Sequence, residues 1–291
     1  MRIGIALPNT TTGTSAPVMR AWAKRAEERG FAFVSTIGRV PYPSYDSLTA
    51  LAVVAGATSH IGLTTNAVLA PTYPDAVLAK ITGTLAQLSG DRLTLGLGVG
   101  ARASDYLPAE RDFAGRGAAF DRQLEYLHAA WRGEAVEDGD FPGERRAVVP
   151  GGGTVPVLIG GHGARAVRRT ARWGAGWTGA GGGPRRAEPM VGRVREAWSA
   201  AGRAGEPRLL GLAYFCAAGD AASAEASDRY VRGYYAYAGE HADTIADGVV
   251  RTPRRIRGIV DEFAAIGVNE LTFTPTIARP DEVDRLADLV L

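Results

Sequence analysis

Alternation constrains this chain more than any other feature. Short apolar runs of strand length take turns with amphipathic stretches of helical period over the whole sequence. The runs fall at 2–7, 31–34, 61–69, 93–99, 155–159, 176–178, 209–217 and 271–274. Between them, helical spacing predicts helices over 16–29, 44–59, 75–89, 120–131, 164–173, 189–201, 222–238 and 254–265, with a last short one over 280–291. Strands that read apolar on both faces belong to a parallel sheet covered by helices on each side, either doubly wound or closed. No linker and no short repeat divides the chain. The expectation is therefore a single domain over 1–291, a (β/α)8 TIM barrel with extra loop and helix insertions, in preference to two Rossmann-like halves. The stretch 132–154, ending in Gly151-Gly152-Gly153, has no readable period.

Composition removes several classes of function. Lys plus Arg is 33 against 31 Asp plus Glu, a net charge of +2, which offers no field for nucleic acid or an anionic membrane. The lone Cys216 excludes an internal disulfide and a cysteine-based zinc site. The four histidines, His60, His128, His162 and His241, show no metal-binding spacing. The first apolar run breaks at Pro8 and enters a polar tract, unlike a signal peptide, and no apolar stretch reaches the ~20 residues of a membrane span. A cytoplasmic protein is expected. A nucleophile elbow and a Walker loop are absent, and the only lysines, Lys24 and Lys80, fall on helices facing away from the barrel mouth, which argues against a Schiff-base aldolase.

In a barrel of this kind chemistry gathers where the strands end. The most informative such junction is Val155-Pro156-Val157-Leu158-Ile159-Gly160-Gly161-His162-Gly163-Ala164-Arg165. Here a strand runs through glycines directly into a helix, so free N–H groups and the positive helix end converge. That turn either receives a phosphate or is simply tight; the local pattern leaves both open. Leu95-Gly96-Leu97-Gly98-Val99-Gly100 has the spacing G-x-G-x-G and follows no first strand, so it is read as a small-residue opening at the mouth and not as a dinucleotide fingerprint. Tyr230, Tyr234, Tyr235 and Tyr237 form an aromatic stripe that reads as core or interface before substrate wall.

The wording of the segments resembles the bacterial-luciferase-like family of flavin- and deazaflavin-dependent oxidoreductases. The matching stretches include Arg2-Ile3-Gly4-Ile5, Ala26-Glu27-Glu28-Arg29-Gly30-Phe31, Ile61 through Pro71 and Asp91 through Gly100. The most specific runs from Pro156-Val157-Leu158-Ile159-Gly160-Gly161 to Ala171-Arg172-Trp173-Gly174-Ala175-Gly176-Trp177. The resemblance implies cofactor binding at the C-terminal mouth, a small-molecule substrate and commonly a homodimer. It implies a phosphate turn at Gly160, Gly161, His162 and Gly163, and a bulge against the cofactor ring at Asn66, Ala67 and Val68. Further contacts are implied at Gly98, Gly100, Arg102, Ser104 and Thr178. Where family members carry a tryptophan, an acid and a histidine after the second strand, this chain has Ser35, Gly38 and Arg39. Arg39 remains charged and cannot shuttle protons as imidazole does. It is the one candidate catalytic group, for an oxyanion or an acidic substrate, with surface pairing as the alternative. The resemblance therefore implies hydride transfer with coenzyme F420 or FMN, and the alanine-, glycine- and arginine-rich composition of a high-GC genome favours F420. The rival readings are an FMN-dependent monooxygenase with a lid at 179–184, and a non-catalytic flavin-binding barrel.

Overall fold

The computed structural model describes residues 1–151 and 153–291; Gly152 and the side chain of His241 lie outside the described residues. Eight strands close into a parallel barrel: β1 (Arg2–Ala6), β2 (Phe33–Thr36), β3 (Gly62–Thr65), β5 (Leu93–Gly98), β8 (Val157–Gly160), β9 (Gly176–Thr178), β10 (Arg208–Phe215) and β11 (Glu270–Pro275). Closure comes from β3 pairing with β5, Leu63 opposite Leu93 and Thr64 opposite Thr94. A two-residue strand, β4 (Val68–Leu69), continues β3 along β5 after a break at Asn66–Ala67, whose peptide bond is cis. The predicted strand over 61–69 is thus two strands separated by a bulge.

The helices around the barrel are α1 (Ala16–Glu28), α2 (Ser47–Ala57), α3 (Asp75–Leu88), α4 (Arg116–Trp131), α5 (Ala164–Trp173), α6 (Gly183–Ala200), α7 (Ala221–Tyr234), α8 (Glu240–Asp247), α9 (Pro253–Ala265) and α10 (Asp281–Val290). Several begin at side-chain caps that satisfy free N–H groups. Asp46 accepts from Thr49 N at 2.8 Å, Asp220 from Ser223 N at 2.8 Å, and Thr252 from Arg255 N at 3.3 Å. Their inward faces build the main core: Trp22, Leu51, Leu78, Leu124, Trp131 and Phe263 are all nearly inaccessible to solvent and pack on the outward side chains of the strands.

Three differences from the sequence-based expectation have clear causes. The stretch 132–154 contains an antiparallel hairpin, β6 (Ala135–Asp138) and β7 (Arg145–Ala147), which is mostly exposed and charged and so carries no apolar period. Helix α6 begins at Gly183 and contains Pro189, the residue read as its start, because Pro184 already occupies the first turn, where a missing N–H costs nothing. The helix expected over 222–238 ends at Tyr234; a 3-10 turn over Ala236–Ala238 and the separate helix α8 follow, parted by Gly239 at φ 57°.

Inside the barrel, Phe33, Leu158 and Leu210 form a small apolar plug. Above it Ser35 and Thr272 share a hydrogen bond of 2.6 Å. Below, at the N-terminal ends of the strands, the buried Glu270 carboxylate accepts from Arg2 at 2.6 Å and from Arg208 at 2.9 and 3.0 Å. The ion pairs close that end and serve stability, and the open end is left for chemistry.

Candidate functional site

A cavity of about 510 Å³ opens at the C-terminal ends of the strands. Its floor is made of small residues. Gly98, Gly160 and Ala67 lie side by side, and a Cβ on Gly98 would make only ordinary contacts, 3.9 Å from Gly160 Cα and 4.0 Å from Ala67 Cβ, while projecting into the floor. The bulge at Asn66–Ala67 turns the chain out of the β3 line and brings Asn66 beside β9, where Thr178 Oγ donates to Asn66 Oδ1 at 2.6 Å. Asn66 is buried, and its Nδ2 has no partner among the described residues. A buried amide donor aimed at a cavity is a group held ready for a ligand acceptor.

On one side of the floor β8 runs through Gly160–Gly163 into α5. Gly161 has φ 127°, and its carbonyl is fixed by Trp177 Nε1 at 2.8 Å. Gly163 is the N-cap, with no side-chain cap, and nothing lies within 4 Å of where its Cβ would be. No side chain caps the first turn of α5, unlike those of α2, α7 and α9, and Ala166 N bonds back to Gly163 O at 2.9 Å, which leaves the N–H groups of Ala164 and Arg165 without a cap. Arg165 and Arg169 stand one turn apart on α5, and Arg116 stands at the start of α4; all three line the cavity. Arg169 is held by Asp121 at 2.6 and 2.9 Å and by Gly117 O at 2.8 Å. Arg116 lies over the Phe113 ring at 3.7 Å. His162 also lines this side, and its pKa is lowered by burial first and by Arg186 and Arg193 second, so it is a neutral imidazole at pH 7.

The opposite wall is aromatic. Tyr234, Tyr235 and Tyr237 line the cavity together with Leu212, Ile37 and Leu69. Tyr230 and Tyr234 are also core, packed with Tyr214 and Val231 in a second cluster. The stripe read as core is thus core on one edge and cavity wall on the other, because the chain leaves the helix at Tyr234 and doubles over the mouth. Arg102 completes the wall. Its Nε donates to the fully buried Asp105 at 2.5 Å, and its guanidinium lies 4.7 Å from the Tyr237 ring centre. Burial works against its charge, but Asp105 more than offsets that and raises its pKa. Asp105 in turn accepts from Val40 N at 2.9 Å, which ties the loop after β5 to the loop after β2.

Of the sequence-derived site residues, the structure gathers Asn66, Ala67, Gly98, Gly100, Arg102, Gly160, Gly161, His162, Gly163 and Thr178 around this one cavity. It does not bring in the other three. Ser104 is exposed in a 3-10 turn and does not line the cavity. Val68 is buried beneath the bulge and lines a neighbouring recess of about 270 Å³. Arg39 lines that recess too, boxed by the rings of Tyr42, Tyr234 and Tyr237 at 5.2, 5.6 and 5.5 Å and donating to Tyr234 O at 2.8 Å. Ser35 lies inside the barrel, bonded to Thr272. The sequence reading missed Arg116, Arg169, Tyr234 and Tyr235 as cavity residues. The helical spacing of Arg165 and Arg169 carried a usable signal; the position of Arg116 did not, since it depends on how the long loop after β5 folds back.

The lining contains five arginines, Arg102, Arg116, Arg165, Arg169 and Arg186, and no carboxylate among the described residues. Such a wall suits an anionic ligand with an extended ring. The residues therefore fit a phosphorylated flavin or deazaflavin: helix-end donors and arginines for the phosphate, a floor of glycine and alanine for the ring, and an unpartnered amide at its edge.

Comparison with known proteins agrees with this architecture. The family model described as luciferase-like monooxygenase matches residues 1–287. An uncharacterized protein of Mycobacterium tuberculosis is 30% identical over 165 residues, 55% of this chain and 57% of that protein, so the match spans a little over half of the curated relative. Among solved structures, an F420-dependent secondary alcohol dehydrogenase in complex with an F420–acetone adduct superposes with a TM-score of 0.81 at 15% identity, covering 99% of this chain and 98% of that one. The coenzyme F420 dependent tetrahydromethanopterin reductase of Methanopyrus kandleri gives 0.75 at 17% identity, covering 99% and 98%. The oxygenating constituent of 3,6-diketocamphane monooxygenase from Pseudomonas putida, in complex with FMN, gives 0.72 at 17% identity, covering 99% and 95%.

Proposed function

The chain belongs to the luciferase-like monooxygenase family, and on that premise we propose that it is an oxidoreductase exchanging a hydride between coenzyme F420 and a small organic substrate. The observation that carries this reading is the set of five arginines lining the cavity from the α5 turn to the rim, of which Arg102 and Arg169 are held by Asp105 and Asp121 behind the wall. FMN presents one phosphate, whereas coenzyme F420 adds a tail of carboxylates and needs cationic partners beyond the phosphate turn. When bound, coenzyme F420 supplies two-electron hydride chemistry.

The chain's own residues do the rest. Gly160, Gly161, His162 and Gly163, with the α5 N–H groups and Arg165, hold the phosphate; a neutral His162 adds a hydrogen bond without competing for the charge. Asn66, Ala67, Gly98, Gly100 and Thr178 form the floor and edge for the ring. Arg102, Arg116, Arg169 and Arg186 set the field at the rim. The tyrosine wall excludes water from the space left for substrate, which strengthens polar interactions there. Arg39 acts behind that wall as its brace.

The test is a fluorescence titration of purified protein with coenzyme F420 and with FMN, each oxidised and reduced. Binding of F420 in clear preference to FMN is expected. Preference for FMN would replace this reading with oxygenase chemistry, to be followed by oxygen uptake, and binding of neither would leave a barrel that does not use these cofactors.

The chain is also proposed to pair with a second copy through α2 and α3. Helix α2 carries no charged residue, and Val53, Val77, Ile81 and Leu88 are large apolar side chains exposed on these two neighbouring helices. The outward face of a barrel helix is ordinarily charged, so an apolar stripe there calls for cover.

A further inference from the structure

The tyrosine wall contains one pair of hydroxyls whose protons can be counted. Tyr214, on β10, and Tyr235, just past α7, face each other with 2.8 Å between their oxygens. Tyr214 is 3% exposed, and Tyr235 is its single hydrogen-bond partner among the described residues. Tyr235 lines the cavity, and its hydroxyl lies at the rim of the β9–α6 turn, 3.3 Å from where a Cβ on Gly181 would stand. Two hydroxyls hold two protons, and one contact uses only one. A buried hydroxyl with no other acceptor must donate or leave its proton unsatisfied. Tyr214 therefore donates to the oxygen of Tyr235, and the Tyr235 proton is left to point into the cavity.

We infer that Tyr235 donates a hydrogen bond to the oxygen of the substrate's reacting carbon, that Tyr214 is the positioning residue that aims it, and that the substrate is a carbonyl compound or the matching alcohol. This rests on the hydride-transfer reading above. In the reducing direction a bound reduced deazaflavin would supply the hydride and be left oxidised, releasing its remaining proton to solvent; the carbonyl carbon would gain the C–H bond, the C=O π pair would move to oxygen, and the Tyr235 proton would complete the O–H bond. The Tyr235 phenolate keeps the Tyr214 hydrogen bond and regains a proton from water at the open mouth. Burial pushes the Tyr235 pKa up to about 12, and the hydrogen bond from Tyr214 works the other way by favouring the phenolate; the proton stays in place at neutral pH, yet the phenol is more acidic than an alcohol. The site so gains a proton donor in spite of having Arg39 where an imidazole is expected.

The test uses trans-4-(dimethylamino)cinnamaldehyde, an aldehyde whose absorption moves to longer wavelength when its carbonyl oxygen accepts a hydrogen bond. It is titrated into the full-length protein, alone and after loading with oxidised coenzyme F420. The wild type is expected to shift the band. Tyr235→Phe is expected to lose the shift and bind the aldehyde about tenfold more weakly. Tyr214→Phe is expected to keep part of the shift, since the donor remains but is no longer aimed. Circular dichroism melting confirms that both variants fold, and a separate F420 titration of each reads cofactor binding, expected unchanged. An equal shift in Tyr235→Phe, or none in the wild type, overturns the proposal. Failure of the wild type to bind F420 overturns the hydride-transfer reading instead, whatever the aldehyde does.

Discussion

Gly163 is the position where one side chain probes the proposed anion site with least disturbance. Its Cβ direction is empty and its φ of −98° suits any residue. Aspartate there would be a good N-cap, so Gly163→Asp should keep or slightly raise the stability, by about a few tenths of a kcal/mol, read as an unchanged or slightly higher melting temperature. It would also place a carboxylate where the phosphate is proposed to sit, and a hundredfold or greater loss of F420 binding is expected in the fluorescence titration; full binding would move the phosphate elsewhere. Gly161 is a poorer choice for the same purpose, because at φ 127° any side chain strains the backbone and loss of binding would have two causes. His128 offers a pH test. It stacks on Trp173 at 5.3 Å, and burial first, Arg132 second, lower its pKa from 6.5. The unfolded chain then binds the proton more readily than the native one, so stability rises with pH across the range below about 6.5 and falls as pH drops through it. Urea melts of His128→Gln between pH 7 and pH 5 should show a shallower loss than the wild type; parallel curves would remove His128 from the acid limb.

At the scale of elements, closure of the barrel depends on β5 lying flush against the end of β3. A Cβ on Gly96 would stand 2.0 Å from Thr65 O, in a contact with backbone that no rotamer relieves. Gly96→Ala is expected to cost about 3 kcal/mol or more, seen as a lower denaturation midpoint or insoluble product. Gly98→Ala, two residues along and 3.9 Å from its nearest neighbour, should fold normally and report on the cavity floor alone. If both variants melted with the wild type, the close approach of β3 and β5 would be wrong. At the other end of the strands, Glu270 bridges Arg2 and Arg208 while itself 4% exposed. Glu270→Ala leaves Arg208 without its counterion and should lower stability by about 3 kcal/mol without altering cofactor affinity. Separating the two readouts matters here, since chemistry and stability are assigned to opposite ends of the same strands.

For the whole molecule, the proposed pairing through α2 and α3 predicts that Ile81→Glu, on the exposed apolar stripe, shifts light-scattering mass from two copies to one. A wild type that is already monomeric would overturn it. The barrel itself was legible in the sequence. Whether a residue is buried by its own strand or helix is a local property, and period 2 and period 3.6 write it directly into the chain. The same locality made the Gly160–Gly163 turn visible, since strand, glycines and helix are consecutive. Where local pattern was weak or misleading the reading failed: the charged hairpin at 135–147 has no buried face, and α6 starts before a proline that also reads as a start. The cavity was only half legible. Each of its walls comes from a different strand end, and which side chains meet there depends on barrel closure and on loops that fold back from far along the chain. Sequence alone thus determined the alternation, the barrel and the strand–glycine–helix turn at 160–163. Tertiary structure alone decided that Arg116 and Arg169 join that turn, that Arg39 stands behind the wall, and that Tyr214 and Tyr235 meet, because convergence is set by the packing of all eight strands at once.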